Sequence, residues 1–200
     1  MSNQFEIKAY SIVILFTFLA NSTKCYSQEK LEITALNRIT INHGDTVCQF
    51  YAIKPPAKTN FSQEKNYYWY VKDTILITQS AFDGKILNGG YKVFYPNKNL
   101  LEKGQFKYGL KTGTWKNWYP NGVLRQTVNW SNGNINGSFE EHDQSGRKIR
   151  SGTYKNNLFT GHVYVYLENG GSQKIYYQNG KIVIEKAKTE NAIKPNDKKL

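Results

Sequence analysis

The sequence predicts an all-β chain, an array of consecutive antiparallel β-hairpins that forms an elongated, twisted open sheet. Three observations predict it. The first is a repeat of 24 residues that runs without a gap. Gly89, Gly113, Gly137 and Gly161 fall in register, followed nine residues later by Lys98, Gly122, Gly146 and Gly170. The second is that large side chains recur around those glycines. Tyr91, Trp115, Phe139 and Val163 lie two residues after them, and Phe94, Trp118, His142 and Tyr166 five after; Phe82, Phe106, Trp130 and Tyr154 lie seven before. The third is composition: 15 Tyr, 10 Phe, 4 Trp and 16 Gly accompany one Met and five Pro. Tight turns and β-formers suit that mixture, and no window carries a convincing helical period.

Each block reads as a hairpin with a return strand. Thr114 to Tyr119 is rich in β-formers, Pro120-Asn121-Gly122 is a turn signal, and Val123 to Trp130 alternates apolar with polar. Ser131 to Asn134 turns the chain back towards the next glycine, and Gln144-Ser145-Gly146 and Glu168 to Gly171 repeat the turn chemistry. Two strands per block at ~4.8 Å advance the sheet by roughly 10 Å, so four to five blocks give a ribbon of ~40–50 Å. A lone hairpin is marginal in water, so stacked aromatics, Phe106, Trp115, Trp130 and Phe139 among them, are the expected core. Neighbouring side chains on a strand point to opposite faces. Phe94/Tyr95 and Trp118/Tyr119 therefore cannot share a face without a bulge, and some of these rings turn outward.

The repeat organises the whole chain. Residues 1–27 read as a secretory signal peptide: Lys8, an apolar run from Ser11 to Ala20, then Cys25-Tyr26-Ser27 before a cut at Gln28. The apolar run is shorter than the ~20 residues a spanning helix needs. Cys25 raises the alternative of a lipid-modified cysteine, which Lys24 beside it fits poorly. The expected location is thus exported: periplasm, cell envelope or secreted. Residues 28–64 hold an N-terminal β segment, with strands Leu31–Ile41 and Thr46–Ile53 joined across Asn42 to Asp45, and a polar loop. Residues 65–183 form the repeat domain: a degenerate copy at 65–88, then 89–112, 113–136, 137–160 and 161–183, with a truncated further copy beginning at Tyr177 to Gly180, displaced by about one residue. In the degenerate copy Tyr67, Tyr70 and Leu76 match Tyr91, Phe94 and Leu100, with Lys65 in the glycine position; faded ends suit the caps of an array. Residues 184–200 read as a flexible basic tail.

At Leu110-Lys-Thr-Gly-Thr-Trp-Lys-Asn-Trp-Tyr-Pro-Asn-Gly-Val-Leu124 the chain resembles the MORN repeat in its bacterial variant form. That form carries Gly-x-Trp-x-x-Tyr-Tyr-x-(Asn/Asp)-Gly-x-Leu. The resemblance covers residues 82–183 well and 65–81 poorly, and implies successive hairpins in an open sheet with a groove. It departs most at Gly137, where His142 and Asp143 replace the paired aromatics and Arg147-Lys148 the Val-Leu pair. Such repeats resemble proteins labelled antitoxin or immunity partners of bacterial toxins, so the resemblance implies an interaction scaffold. A second resemblance, to Trp/Tyr-rich hairpin repeats of cell-wall-binding proteins, ranks lower because those open on Gly-Trp, a dipeptide this chain lacks.

Catalytic signals are missing. His43, His142 and His162 lie in a turn and two separate repeats, and Cys48 is the one thiol beyond the leader, with no zinc-like spacing. Cys48 reads as a small buried hydrophobe. Glu140 and Glu141 face opposite ways on a strand, which disfavours an acid–base pair. No nucleophile elbow, phosphate loop or dinucleotide fingerprint occurs. The expectation is no enzyme, no catalytic residue, no metal and no cofactor.

The chain is basic. Lys and Arg number 27 against 15 Asp and Glu, a net +12, and residues 81–183 hold 14 against 6. Scattered lysines serve solubility first. An exported chain seldom meets nucleic acid, so an acidic protein, an acidic wall polymer or anionic lipid is the counterpart that charge suits, and the repeat resemblance puts the protein first. The expected function is an exported, non-catalytic scaffold for protein–protein interaction, antitoxin- or immunity-like as one special case. The alternative is a module binding cell-wall glycan or a membrane surface. Candidate contacts are Tyr95, Trp118, Tyr119 and Tyr166, with Lys92, Lys116 and Arg125 as charge partners.

Overall fold

The computed structural model describes residues 38–56, 61–79 and 83–184. The leader at 1–27, the start of the first predicted strand and the tail from 185 lie outside the described residues. Thirteen strands and no helix make up the described part: β1 Arg38–His43, β2 Thr46–Ile53, β3 Asn66–Val71, β4 Thr74–Gln79, β5 Lys85–Phe94, β6 Leu100–Lys107, β7 Leu110–Trp118, β8 Leu124–Ser131, β9 Asn134–His142, β10 Lys148–Lys155, β11 Leu158–Tyr166, β12 Ser172–Gln178 and β13 Lys181–Ile182. They form one open antiparallel sheet in the order β1-β2-β5-β6-β7-β8-β9-β10-β11-β12-β13.

Two kinds of turn alternate along the array. Tyr108-Gly109, Asn132-Gly133, Asn156-Asn157 and Asn179-Gly180 each place two successive residues at positive φ. That is the I′ geometry whose twist matches antiparallel strands. The second amide of each turn donates backwards to an earlier strand: Gly109 N to Leu87 O, Gly133 N to Lys111 O, Asn157 N to Ile135 O and Gly180 N to Phe159 O, at 2.7–3.0 Å. The longer turns at 95–99, 119–123, 143–147 and 167–171 are closed by bonds such as Tyr95 N to Asn99 O and Tyr119 N to Val123 O, both 2.9 Å. Their positive-φ position holds Lys98, Gly122, Gly146 and Gly170.

The in-register glycines mark bulges. Between the pairs Lys103↔Lys116 and Gln105↔Thr112, three residues centred beside Gly113 face the single residue Gly104. The same three-against-one step recurs at Gly89, Gly137 and Gly161, all at positive φ. Such bulges bend the strand and strengthen its twist. A smaller bulge inserts Leu101, Arg125 and Ile149 after the longer turns. After the turn at 167–171 no such residue is inserted, and Tyr166↔Ser172 runs directly into Val165↔Gln173. The last copy is therefore one residue out of step.

The degenerate copy does form a hairpin, β3–β4, but not as the next link of the ribbon. Its turn is only Lys72-Asp73, and the place beside β5 belongs to β2. β3 touches β5 through just Trp69↔Ile86 and Tyr70↔Lys85, and folds over one face of the sheet. There Tyr68 packs 4.9 Å from Phe106 and Tyr70 5.4 Å from Phe50, between ring centroids. The N-terminal β1–β2 hairpin thus acts as the first link, and the faded copy becomes a cover.

The covered face holds the core. Phe50, Trp115, Phe139 and Val163 are at most 2% exposed, and Cys48 is buried with them, its pKa pushed up by burial. The aromatics meet in two groups, Tyr68–Tyr91–Phe106–Trp115 and Phe139–Tyr154–Phe159–Tyr177, with Val128 between Trp115 and Phe139 in register. Stacked columns at 24-residue spacing thus give way to clusters that mix positions. Lys111 closes the first group: its ammonium lies 3.8 Å from a Trp115 ring centroid and 3.4 Å from Glu102 Oε1. Burial pushes the Lys111 pKa down, against the opposing pull of Glu102.

Volume is balanced across the bulges. A Cβ on Gly104 would overlap Cδ2 and Cε2 of the Trp115 indole, and one on Gly152 would meet Phe139 and Val163 at 3.0 Å. Gly113, at φ 68°, has nothing within 4 Å. We expect Gly104→Ala to destabilise the fold by about 3 kcal/mol, as overpacking does, and Gly113→Ala by about 1 kcal/mol through backbone strain alone. In a Trp115→Val background the first cost should vanish and the second persist, as read from thermal melts of the three single and two double variants.

Candidate interaction surface

Residues opposed in an antiparallel pair share a face, so the register assigns each side chain a side. Opposite the core runs an unbroken row: Gln49, Lys92, Lys103, Lys116, Thr127, Glu140, Ser151, Tyr164 and Lys174. Lys92, Lys103 and Lys116 are thus stacked directly on three neighbouring strands, and all three are exposed. Two residues further along β5 and β7, on the same side, lie the half-buried Phe94 and Trp118, opposed by Leu100 and Leu124. A lysine row therefore borders an apolar row.

In the third repeat, by contrast, the acids are paired. Arg147 holds Asp143 at 2.9 Å and reaches Glu168 at 3.4 Å, Lys148 holds Glu140 at 2.6 Å, and Arg150 holds Glu141 through two bonds of 2.9 Å. The Ser145 hydroxyl and Arg147 keep the Asp143 carboxyl well below the usual carboxylate range. Glu140 and Glu141 do lie on opposite faces, each with its own cation. Among the described residues no carboxylate forms an ion pair with Lys92, Lys103 or Lys116. Like charges directly opposed on neighbouring strands cost stability, and no ion pair among the described residues offsets that cost.

The remaining candidates separate by position. Tyr95 and Tyr119 sit where the longer turns begin, and their hydroxyls donate to the next repeat, to Trp118 O and His142 O, each at 2.9 Å. The ladder stops at Asp143, which has no phenol to extend it. Arg125 is the inserted bulge residue, its guanidinium 5.7 Å from the Tyr119 ring centroid. Tyr166 shares the lysine side but lies near the other end of the sheet, with its hydroxyl 3.1 Å from Ser151 Oγ. The structure therefore brings together Lys92, Lys116 and Trp118. It adds Lys103 and Phe94, which sequence spacing had not marked as contacts. Lys103 lies ten residues before Gly113, and only the register shows that it stands between the other two.

An open sheet of hairpins, with its core on one side and a basic, partly apolar row on the other, defines a repeat-scaffold protein. The family described as MORN repeat variant matches residues 87–108, 111–132 and 170–186, so these segments carry repeats of that family. The copy at Gly137 lies between the matched segments yet folds as the same hairpin. No curated protein is significantly similar to the chain.

Two substitutions probe this surface. Tyr119→Phe should cost about 1 kcal/mol by removing one inter-repeat hydrogen bond, measured by denaturant melts. Lys103→Glu places an acid between two lysines, so it should raise the melting temperature by about 2 °C at low salt. That gain should fade in molar salt, where exposed charges are screened.

Proposed function

We propose that this protein is an exported, non-catalytic scaffold that binds a protein partner through its lysine-bearing face. Neutralisation of a toxin-like partner is one form such binding takes. Repeats of this family are generally modules of protein- and membrane-binding proteins, and scaffolds of this kind are typically non-catalytic. The observation that carries the reading is the stack Lys92–Lys103–Lys116, opposed in register and without an acid among the described residues. A surface that keeps like charges together at a cost to its own stability suits an acidic partner. Export rests on the leader-like pattern of residues 1–27.

The test is affinity capture from envelope and secreted fractions of cells making the tagged full chain, beside its Lys103→Glu variant. One protein should copurify with the unaltered chain, be released by salt and be lost with the variant. The recovered bait should begin at Gln28. An identical set of proteins with both baits, or sedimentation with wall or lipid in place of a protein, would overturn this reading.

A further inference from the structure

The stack has a length, and that length restricts its occupant. Lys92 and Lys116 are two strand spacings apart, about 10 Å at ~4.8 Å per step. Carboxylates at positions i, i+4 and i+7 of an α-helix span the same distance, about 10.5 Å at 1.5 Å per residue. Their neighbours stand ~5–6 Å apart, as these lysines do. An extended acidic segment fits worse, because alternate side chains on one face step by ~6.6 Å and three of them span about 13 Å. The bordering row adds a second requirement. Phe94 and Trp118 lie two residues along the same strands as Lys92 and Lys116, about 6.6 Å away. That falls within the width of one helix, whose diameter with side chains is about 10–12 Å.

Resting on the reading of this face as a protein-docking surface, we infer that it takes an amphipathic acidic helix of the partner, laid across β5, β6 and β7. The acidic stripe of that helix sits on Lys92, Lys103 and Lys116, and its adjoining apolar stripe on Phe94 and Trp118. The paired charges of the third repeat set the limit of the site. Beyond Lys116 the row continues as Thr127 and Glu140, and an acidic helix extended that far would meet a carboxylate. Helix docking by regularly spaced anchors is a common mode of peptide recognition. Here the groove is replaced by a charged ladder with an apolar border.

The test uses the full chain and two synthetic peptides of one composition. The first is a stapled helix with Glu at i, i+4 and i+7 beside a leucine stripe. The second carries the same residues in an alternating order held extended. The helix should bind one to one at physiological salt, and at least about tenfold more tightly than the extended peptide, or ~1.4 kcal/mol. Lys103→Glu and Trp118→Ala should each weaken it by about tenfold. Equal binding of both peptides would overturn the helix assignment, as would helix binding indifferent to Trp118→Ala. Lysine-dependent binding to phosphatidylglycerol vesicles with neither peptide bound would assign the face to lipid and overturn it too. If the captured native partner still depends on Lys103 while the peptides are not distinguished, only the helix assignment falls. If capture ignores Lys103, the docking face falls with it.

Discussion

The contact between Trp115 and the bare backbone of Gly104 shows the constraint on which the rest of the structure depends. A single sheet has no second layer of its own, so each large ring must find its packing partners on neighbouring strands. Trp115 and Phe139 do so because the residues beside them are small: Gly104, Val128 and Gly152. The in-register glycines act through the backbone, bending each first strand at a bulge so that the sheet curls around its rings. Space and curvature are thus assigned to different glycines. The β3–β4 hairpin and Lys111 complete the shielding of the first aromatic group.

This arrangement divides the two faces. Aromatic burial, the Tyr95 and Tyr119 ladder and the inter-repeat turn bonds all serve the connection of one repeat to the next. The opposite face contributes little to that connection, so its side chains can carry charge without disrupting the core. In the third repeat the charges are paired within the chain. In the first two, lysines stand opposed to lysines. Surface ion pairs contribute little to stability, so the difference bears mainly on what each half can meet. In one half most acids are held in ion pairs within the chain, and the other half presents an unpaired positive array, a field of the kind that would favour the proposed acidic partner.

Repetition gives the surface a ruler. Successive strands place equivalent positions at a near-constant spacing, so a row of like residues becomes a charge array of defined pitch. A longer array needs only another repeat with lysine in the same place. Thr127 and Glu140 interrupt it here, which fixes its extent at three. Arg125 extends the basic character towards the turn, where its guanidinium faces Tyr119.

The sequence by itself determined the hairpin, its period and its turns, because these are local. Positive φ calls for Gly or Asn within a few residues, and a 24-residue repeat is visible without any partner strand. It also implied the core role of Phe106, Trp115 and Phe139, and the opposite sidedness of Glu140 and Glu141, since alternation along a strand is local too. Only the tertiary structure decided the rest. That β2 rather than the faded copy flanks β5, and that β3–β4 becomes a cover, depends on competition between hairpins for one edge. That Gly104 makes room for an indole depends on which residue the bulge sets opposite it. Lys103 joins Lys92 and Lys116 for the same reason: cross-strand register is a long-range property, and a shift of one residue sends every side chain to the other face.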